Sequence, residues 1–411
     1  MNAPNPAPLW RNRDYMLLWS GQVVSTLGTT ASNVVYPLLI LALTGSPQAA
    51  GIAGALRALP YLVLSLPVGA LIDRWDRKRV MILCDVGRGL AALSIPIAMA
   101  FDVLTLWQIY AATLVEGSLY VFFNIAEVAA LPRVVPALQL PQAAAQNEAG
   151  FGAANIVGPS LGTFLYQVFG RAVPFLADAL SYAVSVVSLV RIKTAFRSDR
   201  PVVRRHLAHE VAEGLRWLWA NPLIRYMAFV TGGLNLVAAG TPLIIIVLAK
   251  QMGAGDAQVG IIFSIAGIGG IVGSLVGGQI QRRFRFGVVI VATIWIDALL
   301  LPLLAIVPSY FLLGVVAGSM YLLGPIYNVV QFSYRLSLIP DELQGRVNST
   351  FRLLAFGFMP VGAALSGVLI ERLGAAGAVV VFSAWQLVLA ALTAANRHVR
   401  RAAPIARSAA A

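Results

Sequence analysis

Gly69-Ala-Leu-Ile-Asp73-Arg74-Trp75-Asp76-Arg77-Lys78-Arg79 decides the architecture of this 411-residue chain. Its last seven residues carry four cations and two acids. Apolar segments flank it, Gly51 to Ile72 before and Val80 to Phe101 after, each long enough to cross a bilayer as a helix. So dense a charged turn cannot lie in hydrocarbon and reads as a tight loop at one membrane face.

Composition agrees. The chain is 59% hydrophobic and 11% charged, with mean hydropathy +0.79. A soluble domain carries about 25% charge, so this chain cannot be mostly soluble. The single cysteine, Cys84, excludes a disulfide framework and a thiolate metal site. His206, His209 and His398 all lie in polar segments with no ligand cluster around them, so no metal is expected. Met1 to Pro8 is rich in Pro and Ala and reads as a frayed end. The apolar run after it is too long for a signal-peptide core, and no small-residue cleavage site is obvious.

Comparable apolar segments recur along the chain: Tyr15–Leu43, Gln48–Ile72, Arg79–Phe101, Leu104–Ala130, Gln142–Phe169 and Val173–Ile192. A second set follows: Leu223–Ala249, Gln258–Ile280, Phe286–Val307, Tyr310–Ser337, Val347–Ile370 and Ala375–Asn396. Each approaches or exceeds the ~20 residues that cross a bilayer, and lipid permits only helix at that length. The expectation is an all-α integral membrane protein of twelve transmembrane helices in two six-helix halves. Its parts are a cytoplasmic tail at 1–14, a first half at 15–192, a cytoplasmic central loop at 193–222, a second half at 223–396 and a basic tail at 397–411.

Lysine and arginine orient it. Both termini share a face when the span count is even. That face collects 24 of the 30 cations, including the basic loop at 74–79, eight in the central loop and four at the C-terminal end. The opposite face holds Arg171, Lys250 and Arg372, and Arg57, Arg88 and Arg352 lie within spans. The rich face reads as cytoplasmic. The net charge of +13 is thus spread over membrane loops, which argues against nucleic acid as a partner. In the central loop, Leu207, Val211, Leu215 and Leu218 follow helical spacing and suggest an amphipathic helix on the membrane surface, whether regulatory or a passive tether.

The halves echo each other. Asn147 and Pro159 are repeated by Asn348 and Pro360 at an offset of 201. Gly277, Arg282 and Arg285 repeat Gly69, Arg74 and Arg77, with Gln281 where Asp73 would be. Parallel halves of this kind place a site between them near the midplane.

The basic loop resembles the loop 2–3 signature of the major facilitator superfamily, Gly-x-x-x-Asp-Arg-x-Gly-Arg-Arg/Lys. Gly69, Asp73, Arg74, Arg77 and Lys78 match it, while Asp76 replaces its second glycine. Gly158-Pro159-Ser160-Leu161-Gly162 in span five resembles the core of the motif of proton-driven drug antiporters in that superfamily. Thr163 replaces that motif's final glycine, and Ala145 and Ala154 stand at two upstream glycine positions. Trp10 to Tyr15, Leu43-Thr44-Gly45-Ser46 and the basic loop resemble the branch of enterobactin-type siderophore exporters and macrolide efflux proteins. The resemblance implies a bacterial inner-membrane protein that exports a small amphipathic molecule, such as a drug, siderophore or secondary metabolite, against protons. A lipid flippase or solute uptake on the same fold are the alternatives. It implies a multi-pass monomer in the lipid bilayer whose partners are its substrate and protons, with no cofactor.

Ionisable groups within spans are costly and ask for a reason. In the superfamily, spans one, four, seven and ten line the cavity. Glu116, near the middle of span four, is therefore the first candidate for proton coupling. Asp297 in span nine and Asp178 in span six follow, with helix packing favoured for both. Arg57 is expected to pair with one of these acids, without the sequence choosing which. Asp85 and Arg88 are one turn apart and can pair. With Glu127, Asp73, Arg74 and Arg77 they form an expected charge network latching the gate, Asp73 facing the start of span eleven by resemblance. Asn33 and Tyr36 on span one, Asn235 on span seven, and Tyr327, Asn328 and Gln331 on span ten are candidate substrate contacts, though each also suits interhelical bonding. There is no Walker-type loop, nucleophile elbow or zinc motif, so neither an ATP-driven pump nor an enzyme is expected.

Overall fold

The computed structural model describes residues 8–72, 74–196, 207–340 and 343–402. Asp73, His206 and most of the polar stretch before α7 lie outside the described residues. Every apolar segment read above is occupied by helix. In chain order these are α1 (Arg13–Thr44), α2 (Pro47–Ile72), α3 (Arg77–Ala100), α4 (Leu106–Val134), α5 (Leu140–Phe169) and α6 (Val173–Arg191). Next come α7 (Leu207–Ala220), α8 (Pro222–Gln251), α9 (Asp256–Arg283), α10 (Phe286–Leu300) and α11 (Tyr310–Leu338). The last three are α12 (Gln344–Gly357), α13 (Met359–Ala395) and α14 (Arg397–Arg400). Among the described residues, nine stretches are long and apolar enough to cross a membrane. One of them, Arg346–Ala395, runs 50 residues, about twice what a single crossing needs. Gly374 divides it: at φ 74° and ψ 169° it adopts a backbone that only glycine takes without strain, and α13 turns there.

Local chemistry sets the helix ends. The Asn12 side chain accepts from the Tyr15 amide and starts α1, which ends at Gly45 in the left-handed region. Asp76 accepts from the amides of Lys78 and Arg79 and caps α3. The departure from the loop signature at this position therefore has a local role. Thr105 and Ser309 cap α4 and α11 in the same way.

The chain forms two compact units. The first comprises residues 1–45 and 52–204, the second residues 46–51 and 205–411. In the first, α1 packs on α5 and α6, and α3 packs on α4 and α6. In the second, α8 packs on α12 and α13, and α10 on α11 and α13, so the pairing scheme repeats. Contacts are close because small residues line the seams. A side chain added at Gly21 or Gly28 of α1 would meet Ser188 or Ser181 of α6, and one added at Gly269 of α9 would meet the Gly318 carbonyl of α11.

The central-loop helix departs from expectation. α7 is docked on α12, where the Arg346 guanidinium donates to Glu213, and Gly214 lies against the Arg346 carbonyl. Leu218 is fully buried among Ile224, Met227 and Phe351 of the second unit. Of the apolar stripe that suggested a membrane surface, Leu218 is covered by protein and Leu215 is part-buried.

Candidate functional site

Glu116 is buried in α4, and its carboxylate is doubly held. The Tyr36 hydroxyl of α1 donates to Oε1 at 2.6 Å, and Arg57 Nη1 of α2 donates to Oε2 at 2.8 Å. Glu116 is therefore the acid with which Arg57 pairs. Gly117 makes this geometry possible: its bare Cα lets the backbone of α2 approach, and an added Cβ would strike the Arg57 carbonyl. Arg57 also sits over the Tyr36 ring, 5.7 Å from its centroid, and that ring packs edge-on against Phe175 of α6. Tyr36, expected as a substrate contact, is thus committed to this cluster. Asn33, one turn earlier, is exposed.

Asp178 is fully buried on α6 and faces α1. The Ser32 hydroxyl lies 2.5 Å from its Oδ2, and Thr29 Oγ1 lies 3.5 Å from its Oδ1. Thr29 is also 2.8 Å from the Tyr182 hydroxyl and accepts from Arg88 Nη2 at 3.3 Å. Arg88 pairs with Asp85 at 3.5 Å and lies 4.3 Å from the Tyr182 ring centroid. A chain of polar groups thus runs from Asp85 on α3 through Arg88 and Thr29 to Asp178, beside the Glu116–Arg57 pair. The expected Asp85–Arg88 pair is present.

Other members of the loop signature are spread along the end of the unit. Arg77 Nη1 donates to the Ala129 carbonyl of α4 at 3.0 Å. Lys78 Nζ donates to the Ile192 carbonyl at 2.6 Å, tying α3 to the end of α6. Arg74 is exposed, Glu127 is buried on α4, and Gly69 has open space beside it. The expectation for Asp73 falls outside the described residues. The Gly158-Pro159-x-x-Gly162 core forms the seam between α5 and α1. A Cβ at Gly158 would collide with Thr30 and one at Gly162 with the Ala31 carbonyl, and the Thr30 hydroxyl donates to the Ala154 carbonyl at 2.9 Å.

The second unit holds a cavity of about 450 Å³ between α8, α9, α10 and α11. Asn235, Tyr327 and Asn328 line it, joined by Thr231, Tyr321 and Asp297. Gln331 is buried beyond this lining. The Tyr327 and Thr231 hydroxyls are 2.7 Å apart, and Asn235 Nδ2 donates to the Ala355 carbonyl. Asp297 takes part in helix packing, as expected, and in the cavity wall as well. It accepts from Gln386 Nε2 of α13 at 2.5 Å, a packing contact, and it also reaches the cavity wall. Sequence reasoning missed its lining role because the depth of a span does not reveal its facing helix.

Long apolar helices around buried, paired charges and a cavity lined by both apolar and polar side chains suit a membrane transporter. The chain belongs to the Major Facilitator Superfamily, whose family model matches residues 18–360. It is 27% identical over 376 residues to the multidrug efflux pump Tap of Mycolicibacterium fortuitum, covering 87% of this chain and 90% of that protein. It is 26% identical to macrolide efflux protein A of Streptococcus pyogenes over 384 residues, covering 89% and 91% of the two chains. It is 25% identical to the enterobactin exporter EntS of Escherichia coli O1:K1 over 362 residues, covering 86% and 84%. Its fold is similar to that of the nucleoside transporter NupG, with a TM-score of 0.76 at 15% identity, covering 93% and 98%.

Proposed function

We propose that this chain exports a small amphipathic molecule from the bacterial cytoplasm by alternating access, driven by protons moving inward. The observation that carries the reading is the company of Glu116 and Asp178. One half keeps the acids Asp85, Glu116, Glu127 and Asp178 buried beside buried Arg88 and part-buried Arg57, charges that membrane spans carry only at a cost. Efflux proteins matching it over most of both chains support export. Asp297 in the second half is a further carboxyl able to exchange a proton with the cavity. Tyr321, Tyr327, Thr231 and Asn328 suit a ligand with an apolar body and a few polar groups. The protein acts as a monomer in the inner membrane with both termini cytoplasmic, as the basic loops suggest.

Transport into everted membrane vesicles tests this. A macrolide and enterobactin, the substrates named for relatives, serve as probes. Accumulation of either is expected when the vesicle lumen is acid, with loss of accumulation on adding an uncoupler. Accumulation indifferent to the proton gradient, or probe movement only in the opposite direction, counts against the reading.

A further inference from the structure

Among the described residues, the buried acids of the first unit are Asp85, Glu116, Glu127 and Asp178, set with buried Arg88 and part-buried Arg57. Two acids are taken up by ion pairs, Glu116 with Arg57 and Asp85 with Arg88. Among the described residues, no cation lies within ion-pair distance of Asp178. Its hydrogen-bonding neighbours are hydroxyls. Ser32 Oγ lies 3.1 Å from the Thr29 carbonyl as well as 2.5 Å from Asp178 Oδ2. Ser181 Oγ lies 2.7 Å from the Asp178 carbonyl and 3.5 Å from Oδ1. A hydroxyl has one hydrogen, and a carbonyl can only accept. The Ser32 hydrogen goes to Asp178 over the shorter contact, since the Thr29 carbonyl lies inside α1 and has the backbone bond of its helix. Ionised, Asp178 is a fully buried charge held by hydroxyls alone, whereas the Glu116 carboxylate receives both a guanidinium and a phenol.

We propose that Asp178 carries the transported proton and that Glu116 is the standing counter-ion of Arg57. This rests on the proton-coupled reading above and names the group within it. With Asp178 neutral, each cation keeps its own acid, Arg57 with Glu116 and Arg88 with Asp85, while Glu127 lies further along α4. Loading closes the O–H bond on the carboxylate. Release passes the proton to water, leaves the electron pair on Asp178 and leaves one uncompensated charge in a dry site. Such a charge is costly until water enters or a cation moves toward it. Arg88 is the nearest means, because its Nη2 already reaches Thr29, which adjoins Asp178. Proton occupancy is thereby tied to how α1, α3 and α6 pack.

The groups around Asp178 set its context. α1 supplies Tyr36 and the hydroxyls, α3 supplies Arg88 and Asp85, α4 supplies Glu116 with Glu127 further along, and α2 supplies Arg57 behind Glu116. Tyr182 lies one turn away on α6 itself, and α5 carries only Glu148 and Tyr166 among titratable residues.

Infrared difference spectroscopy of the purified full-length protein in lipid nanodiscs, titrated across the neutral range without substrate, tests this. A protonated-carboxyl carbonyl band is expected as the pH falls. Asp178→Asn should remove it, Glu116→Gln should keep it, and Ser32→Ala, which retains the acid, should shift its frequency. A band lost in Glu116→Gln but kept in Asp178→Asn overturns the assignment, as does a wild-type protein without the band. Should Asp178→Asn fail to fold, Ser32→Ala decides, since an unshifted band overturns it. Failure of the coupling itself shows separately, as wild-type vesicle transport indifferent to the proton gradient.

Discussion

Arg57→Ala is expected to destabilise the protein by about 3 kcal/mol and to abolish transport. The Glu116 side chain has no solvent exposure, and its ion pair with Arg57 spans 2.8 Å. Removing one partner of a buried pair leaves an uncompensated charge, at a cost of about 3–5 kcal/mol. The lower end applies because the Arg57 side chain retains 23% exposure, through which water can partly solvate the orphaned acid. Removing both charges is a different matter. Arg57→Leu with Glu116→Leu should recover most of the lost stability, since a well-packed apolar pair can equal or exceed a buried ion pair. Thermal unfolding in detergent, followed by tryptophan fluorescence, reads both. A melting temperature for Arg57→Ala equal to wild type would show that the pair carries no such weight. Transport restored by the double leucine variant would show that the charges serve only packing.

Gly162→Ala is expected to cost about 1–3 kcal/mol and to lower the yield of folded protein, although it adds one methyl group. The new Cβ would strike the carbonyl and Cα of Ala31, backbone that cannot rotate away. The helices α1 and α5 would have to part along a seam that also holds Gly158 against Thr30. Gly152→Ala, on the same helix, is the control. A Cβ there meets nothing within 4 Å, and alanine favours helix by up to about 1 kcal/mol over glycine. Unfolding midpoints that move in opposite directions for these two variants support the seam. Equal midpoints would contradict it.

Gly162 also shows what the sequence could carry. Its position beside Pro159 in span five was legible as a motif, because close approach of helices needs glycine wherever it occurs. Its partner Ala31 was not, because a helical sequence reports the face a residue takes and not the helix opposite. The same limit explains Arg57. The cost of a charge in a span demanded an acid, and three were in view, but only packing selects Glu116. Asp85 and Arg88 could be paired from spacing alone, since both lie on one helix three residues apart. The twelve apolar segments were legible because lipid leaves the backbone no alternative to helix. α7 was half legible: its stripe was read correctly, but the Arg346–Glu213 contact that docks it on α12 joins residues 133 apart. Asp297 was legible as deep and as a packing residue, but its place on the cavity wall was not, since the lining of a cavity depends on how four helices splay.

Proton exchange on substrate binding tests the central claim most directly. A macrolide is added to the purified wild-type protein in weakly buffered detergent solution, with binding established in parallel by calorimetry and pH followed by an indicator dye. The proton-coupled account predicts acidification that saturates with binding, as the ligand-bound form gives up its proton to water. Saturable binding with no change in pH anywhere across the neutral range would contradict it.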